Sequence, residues 1–333
     1  MKVTRFDGLG DVRIEATSHY LPPRKLTTDE LFEGAGVDVA SLLRLTGIHH
    51  RHFASADQAT SDLAILAARP LLTRGPVDRL IVATVSPDYP SPATAPLVEL
   101  GLGLGGPPAF DISATCSGYV FALDMAARAV LTGDERVMCV AAELRSRVLT
   151  DATPGVRCLF GDGASACLVA KGRGPLRLIA TMLGTDGSGH SAVRVEAGGT
   201  RHPTSLETVE KKLHTLRVED GPTVFFTAVD GFVEIASAFL KAVDVKPADI
   251  DLVVPHQANA RILDRVARQL DIPLDRFVVI VGDTGNVGGA SVGIALDHAL
   301  TSRRIAPGQR VMLLTAGAGY TMAAALLEVC GEV

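Results

Sequence analysis

Phe110-Asp111-Ile112-Ser113-Ala114-Thr115-Cys116-Ser117-Gly118 is a short apolar run that dissolves into small residues, and Tyr119–Leu131 behind it carries apolar side chains at helical spacing. The pattern reads as a buried strand, a tight elbow and a helix. It has a counterpart in Val278 through Gly289, and two more segments recur in the same order. Val77-Asp78-Arg79-Leu80-Ile81-Val82 matches Ile250-Asp251-Leu252-Val253-Val254, and Asp134-Glu135-Arg136-Val137-Met138 matches Gly308-Gln309-Arg310-Val311-Met312. The offset is roughly 173 residues each time, about one domain length. Three matches at one offset point to an internal duplication, with one half over 1–175 and the other over 176–333.

Within each half apolar runs alternate with amphipathic stretches, the signature of an α/β protein whose buried, mostly parallel sheets are covered by helices. Strands are expected at Leu80–Thr84, Ala109–Ile112, Val137–Ala141, Ala166–Val169, Leu252–Val254, Phe277–Val281 and Val311–Thr315. Helices are expected at Asp62–Leu72, Gly118–Leu131, Phe225–Val243, Arg261–Leu270 and Ser291–Leu300. From Gly184 to Asp220 the periodicity fails, which reads as an irregular insertion or substrate-side loop.

A chain of 333 residues, 47% hydrophobic and 21% charged, can bury one large core or two packed half-size domains. Its net charge of −5, 5% aromatic content and lack of Trp argue against nucleic-acid binding, which needs concentrated positive charge or stacking platforms. No leader-like segment opens the sequence and no run approaches the length of a membrane span, so a cytoplasmic protein is expected. Five cysteines, Cys116, Cys139, Cys158, Cys167 and Cys330, without a C-x-x-C spacing indicate neither a disulfide framework nor a zinc site. No metal or cofactor is implied.

Cys116 stands at the elbow, where helix N-terminal amides stabilise a thiolate and small neighbours let a substrate approach. A free Cys is more often a small buried hydrophobe, and Cys139 and Cys167 inside strands fit that description. Val253-Val254-Pro255-His256-Gln257-Ala258-Asn259 delivers His256 at the C-terminal end of a buried strand, where α/β sheets bind ligands. A lone His there is commonly structural. Gly285-Asn286-Val287-Gly288-Gly289 follows another strand and by itself is only a Gly-rich turn, without the Lys of a phosphate-binding loop.

Taken together, Asp111-Ile112-Ser113-Ala114-Thr115-Cys116-Ser117-Gly118, Pro255-His256-Gln257-Ala258-Asn259 and Gly285-Asn286 resemble the Cys, His and Asn motifs of the β-ketoacyl-carrier-protein synthase III family. Thr46-Gly47-Ile48 with Arg51-His52, Phe160-Gly161-Asp162-Gly163-Ala164 and Gly317-Ala318-Gly319 add to the likeness, which covers nearly the whole chain. The resemblance implies a duplicated five-layer α-β-α-β-α thiolase fold, a homodimer, and thioester substrates on acyl carrier protein or coenzyme A. It implies an acyl group moved to Cys116, then a malonyl thioester that loses carbon dioxide to an enolate held by His256 and Asn286. The backbone N–H groups of Cys116 and Ala318 would hold the tetrahedral oxyanion; the family often has Gly at the latter position.

The departures matter as well. Ser41 and Leu45 stand where family members often clamp adenine with Trp and Arg, and Phe226 replaces a common Lys. Tyr89, in a segment implied to reach the neighbouring subunit's tunnel, and Phe160 and Phe226 are expected along the substrate tunnel. Arg261, Arg265 and Arg268 share one helix face and are expected to dock an acidic carrier protein. The nearest rival activity is simple acyl transfer through Cys116 to a hydroxyl, amine or second carrier thiol. A thiol hydrolase would need water admitted to the acyl-Cys, and a non-catalytic partner subunit would usually lack the nucleophile.

Overall fold

A computed structural model describes residues 1–150 and 152–331. The first half contributes β1 (Lys2–Arg5), β2 (Val12–Tyr20), a small pair β3 (Arg24–Thr27) and β4 (His50–Phe53), then β5 (Arg79–Ala83), β6 (Ala109–Ile112), β7 (Arg136–Glu143) and β8 (Gly163–Lys171). The second contributes β9 (Leu176–Thr185), a second small pair β10 (Val193–Val195) and β11 (Leu216–Val218), β12 (Leu252–Pro255), β13 (Arg310–Gly317) and β14 (Thr321–Val329). The long sheet runs β12-β13-β14-β9-β2-β8-β7-β5-β6, with β1 added on β9. Only two residue pairs, Arg13↔Arg177 and Ile14↔Leu176, join β2 to β9. The sheet is thus two repeats hinged at its centre.

Strand order repeats across that hinge. β5 lies parallel between β6 and β7 in the first half, and β12 lies parallel beside β13 and an isolated bridge to Phe277 in the second. One aspartate accounts for much of the sequence echo. Asp78 accepts the amides of Glu135 (2.8 Å) and Arg136 (2.9 Å), and Asp251 accepts that of Arg310 (2.8 Å), each clamping the start of one parallel strand to the next.

Among the described residues, seven helices of at least eight residues complete the layers: α1 (Val39–Thr46), α2 (Thr60–Ala68), α3 (Ala95–Leu102), α4 (Gly118–Leu131), α5 (Gly221–Val243), α6 (Ala260–Leu270) and α7 (Ser291–Thr301). Leu63, Ala67 and Val98 of α2 and α3 pack on Leu80, Val82 and Val140 outside the first sheet. In the centre, Val120, Leu123, Val292 and Leu296 of α4 and α7 lie between Ile81 and Cys139 on one side and Val254 and Leu313 on the other. Phe232, Ile235 and Phe239 of α5 cover Val253, Met312 and Leu326 on the far face. Burying each such side chain stabilises the fold by roughly 1.5–3 kcal/mol. This is the five-layer α-β-α-β-α thiolase fold. Helix α5 is apolar and long enough to cross a membrane, but its buried stripe is spent on the sheet.

Two sequence expectations are corrected. The sheet is not mostly parallel: only β5·β6, β5·β7 and β12·β13 are, while β1·β9, β2·β8, β2·β9, β7·β8, β13·β14 and β14·β9 are antiparallel. Helices on both faces bury strands of either sense alike, so unbroken apolar runs such as β7 carry no direction. Phe277–Val281 is not a strand. Gln257 takes up its backbone groups instead, donating Nε2 to the Val278 carbonyl (2.8 Å) and accepting the amides of Ile280 (2.8 Å) and Val281 (3.0 Å). The chain then turns through Val281–Thr284 into Gly285. The stretch from Gly184 to Asp220 is less irregular than its periodicity suggests: β10 and β11 pair there, and Val193 and Leu216 face a large cavity.

Candidate active site

Beyond β6 the chain tightens into a short 3-10 turn, Thr115–Ser117, before α4, and Thr115 adopts a φ of 46°, a strained value for a β-branched residue. The turn is held from outside. Thr115 Oγ1 donates to the Ala318 carbonyl (2.9 Å), Thr321 Oγ1 to the Ala114 carbonyl (3.0 Å) and Ser117 Oγ to the Thr321 carbonyl (2.9 Å). A side chain at Gly317 would put its Cβ 2.7 Å from that of Cys116. The β13–β14 connection therefore sits directly against the elbow.

Cys116, His256, Asn286 and Ala318 line one cavity of about 880 Å³. Asn286 and His256 are buried, and Cys116 keeps part of its surface. Asn286 is fixed by main-chain bonds on both sides: its amide donates to the Leu159 carbonyl (2.8 Å) and its carbonyl accepts from Gly161 (3.0 Å). Its side-chain Oδ1 accepts the Gly288 amide (2.9 Å), which leaves only a long contact from Nδ2 to the Ala258 carbonyl (3.5 Å). The amide NH2 is the free end.

His256 lies parallel to the Phe232 ring, with centroids 6.5 Å apart, and burial pushes its pKa down to about 3. The imidazole is neutral across the physiological range. Ser291 Oγ donates to the Gly288 carbonyl (2.9 Å), so the 2.7 Å contact with Nδ1 is an N–H donated by the ring. Nε2 is left with its lone pair.

The thiol differs from the expectation of an elbow-stabilised thiolate. Burial, followed by the Glu143 carboxylate, pushes the Cys116 pKa up to about 11, against the Arg145 guanidinium and the amides of Ala318 and Cys116. Resting Cys116 is protonated, and a neutral His256 lines the same cavity. The backbone amides of Cys116 and Ala318 both act on the sulfur.

Sequence reasoning missed Arg145, which lines the cavity, Ser291, which bonds the His256 ring, and Glu143, whose charge acts on Cys116. Glu143 accepts from Ser86 Oγ (2.8 Å) and the Val85 amide (3.2 Å), and burial raises its pKa. Its one sequence signal is a carboxylate closing the apolar run Val137–Ala142. Of the expected tunnel residues, only Phe160 lines the cavity. Phe225 lines it in place of Phe226, because neighbours on a helix point about 100° apart; Phe226 faces outward, with the Arg265 guanidinium 5.1 Å from its ring centroid. Tyr89 is 59% exposed and outside its own chain's cavity. Arg261, Arg265 and Arg268 are all exposed on α6, although Arg268 is paired with Asp264 (2.7 Å) and Arg261 Nε donates to the Arg44 carbonyl (2.8 Å).

Models of 3-oxoacyl-[acyl-carrier-protein] synthase III match residues 110–187, and that family's C-terminal model matches residues 240–329. The β-ketoacyl-[acyl-carrier-protein] synthase III of Caldanaerobacter subterraneus subsp. tengcongensis is 37% identical over 321 residues, 95% of this chain and 97% of that one. The chain belongs to the β-ketoacyl-acyl-carrier-protein synthase III family. The solved synthase III of Pseudomonas aeruginosa PAO1 superposes with a TM-score of 0.88 at 32% identity, covering 97% of this chain and 99% of the other. The priming β-ketosynthase of the R1128 polyketide pathway gives 0.85 at 29% identity, covering 96% and 97%. This synthase III family member is accordingly an acyl-transferring condensing enzyme of fatty-acid or polyketide synthesis.

Proposed function

We propose that Cys116 is the nucleophile, His256 and Asn286 the enolate donors, and the Cys116 and Ala318 amides the oxyanion donors of a decarboxylative condensation. The observation that carries the assignment is the convergence of these four residues, from four separate chain segments, on one cavity. The Cys116 sulfur attacks a donor thioester and loses its proton to Nε2 of His256, and the donor's thiolate departs and is protonated from solvent. Nε2–H and the free amide of Asn286 then face the oxygen of a malonyl thioester as carbon dioxide leaves and negative charge develops there. The resulting carbanion attacks the acyl-Cys116 carbonyl. Collapse of the tetrahedral intermediate releases the β-ketoacyl thioester, and His256 returns the proton to sulfur.

Substrates on acyl carrier protein or coenzyme A are part of the same reading, with Arg261, Arg265 and Arg268 as the carrier-docking stripe and Phe160 in the tunnel. A homodimer is supported by β6, which ends the sheet order and so offers an edge strand to a second copy, with Tyr89 reaching across. We place the enzyme in the cytoplasm and the boundary between the duplicated halves at 175/176. Incubation with an acyl thioester and malonyl thioester, followed by mass spectrometry, tests the core of the proposal. One acyl adduct on Cys116 and release of carbon dioxide are expected. Acylation without carbon dioxide from any donor would leave simple acyl transfer as the activity, and an adduct on Cys139, Cys158, Cys167 or Cys330 instead would remove Cys116 from the mechanism.

A further inference from the structure

Two arginines line the cavity, and they differ in one respect. Arg194 is neutralised by Glu196 and by Glu219 (3.2 Å). Arg145 is buried, yet among the described residues no carboxylate pairs with its guanidinium and no hydrogen bond holds it. It lies over the face of Phe160, 5.6 Å from the ring centroid. Glu143 attracts it without a direct ion pair: that attraction opposes the rise burial imposes on the Glu143 carboxyl, while Ser86 and Val85 occupy its oxygens. A buried guanidinium with no carboxylate in direct contact and no hydrogen bond, set in an otherwise largely apolar wall of Val85, Val156 and Phe160, describes a site that an anion would complete.

The position is fixed rather than accidental. Asp162 accepts the Ser146 amide (2.9 Å), Ser146 Oγ (2.7 Å) and the Ala54 amide (2.9 Å), which locks the backbone where Arg145 leaves β7. Arg145 lies within the electrostatic reach of the nucleophile, because it opposes the upward shift of the Cys116 thiol.

We propose that Arg145 determines acyl specificity, pairing with the free carboxylate of a short ω-carboxyacyl thioester, the half-thioester of a dicarboxylic acid, as its carbonyl is presented to Cys116. The inference rests on the reading of Cys116 as acyl acceptor. In the transfer the Cys116 S–C bond forms and the donor's C–S bond breaks; the thiol proton goes to His256 Nε2, the departing thiolate is protonated from solvent, and the distal carboxylate is unchanged. A guanidinium paired with a carboxylate stabilises the charge that decarboxylation must move away, so this subsite suits the acyl donor and not the malonyl extender.

The test compares N-acetylcysteamine thioesters of succinate, of its monomethyl ester and of butyrate, reading the rate of Cys116 acylation by mass spectrometry and the pH profile of iodoacetamide alkylation. The native enzyme should take the succinyl donor roughly tenfold or more faster than either neutral donor, Arg145→Leu should abolish or invert that preference, and Arg145→Lys should retain part of it. Equal rates for succinyl and methyl succinyl donors in the native enzyme would overturn the proposal without any variant having to fold. So would an Arg145→Leu variant that slows all three donors equally with a shifted alkylation profile, because Arg145 would then only tune the sulfur. Absence of acylation by every donor, with Cys116 still alkylated by iodoacetamide, would instead refute the acyl-acceptor reading, and the subsite with it.

Discussion

The corner after β6 and the corner after Phe277 occupy matching places in the two halves, yet they have been put to different chemical use. In the first, four residues pair with β5 before the chain breaks at Thr115 and presents Cys116 at the head of α4. In the second, a single bridge from Phe277 to Val253 remains, Gln257 absorbs the freed backbone groups, and the loop carries on to Asn286 and the head of α7. The corners also touch, since a Cβ at Gly289 would lie 2.7 Å from the Thr115 carbonyl. On the proposed reading, one corner carries the nucleophile and the other a hydrogen-bond donor.

If the first corner alone holds the nucleophile, Cys116→Ala should reduce acyl transfer by on the order of a thousandfold or more, with no adduct on intact-protein mass spectra. The second corner should break differently. Asn286→Ala should keep Cys116 acylation but lower carbon dioxide release from malonyl thioester by roughly two to three orders of magnitude, whereas His256→Ala, which also removes the acceptor of the thiol proton, should slow both steps. Equal loss of both steps in Asn286→Ala would erase the division of labour.

The contact between the corners is open to a steric test. Gly289→Ala and Gly317→Ala should each destabilise the fold by about 1–3 kcal/mol, read as a lower melting temperature, and slow Cys116 acylation roughly tenfold or more through displacement of the elbow. The electrostatic contrast has a pH signature. Thiolate is the species that alkylates, and with the Cys116 pKa at about 11 and His256 neutral, iodoacetamide reactivity should climb about tenfold per pH unit from 7 to 10. A plateau near pH 7 would mean a thiolate already formed at rest. The smallest effect is expected outside both corners: Arg261, Arg265 and Arg268 to Glu should raise KM for carrier-bound substrate several-fold, most at low salt, with a markedly smaller effect on an N-acetylcysteamine thioester.

The elements most readable in the sequence were those whose signal is local. Gly118–Leu131 was read to the residue because its helical period and its Gly start are contained in its own letters, and Ala109–Ile112 likewise. Phe277–Val281 was misread because it is apolar like a strand, and the side chain that takes its hydrogen bonds, Gln257, lies 20 or so residues away in sequence. Phe225 and Phe226 were indistinguishable until the facing of α5 was fixed by Phe232 and Phe239 against the sheet.

By itself the sequence determined the duplicated α/β plan and the synthase III likeness and singled out Cys116, His256 and Asn286, because repeat spacing and the small-residue motifs around those side chains are written in order along the chain. Only the tertiary structure decided the sense of the strands, the tautomer of His256, the protonated state of Cys116 and the placing of Arg145 in the cavity wall without a direct ion pair. Each of those depends on which groups are brought within a few ångströms and how much water is excluded around them, and both are properties of packing between segments that lie far apart in the sequence.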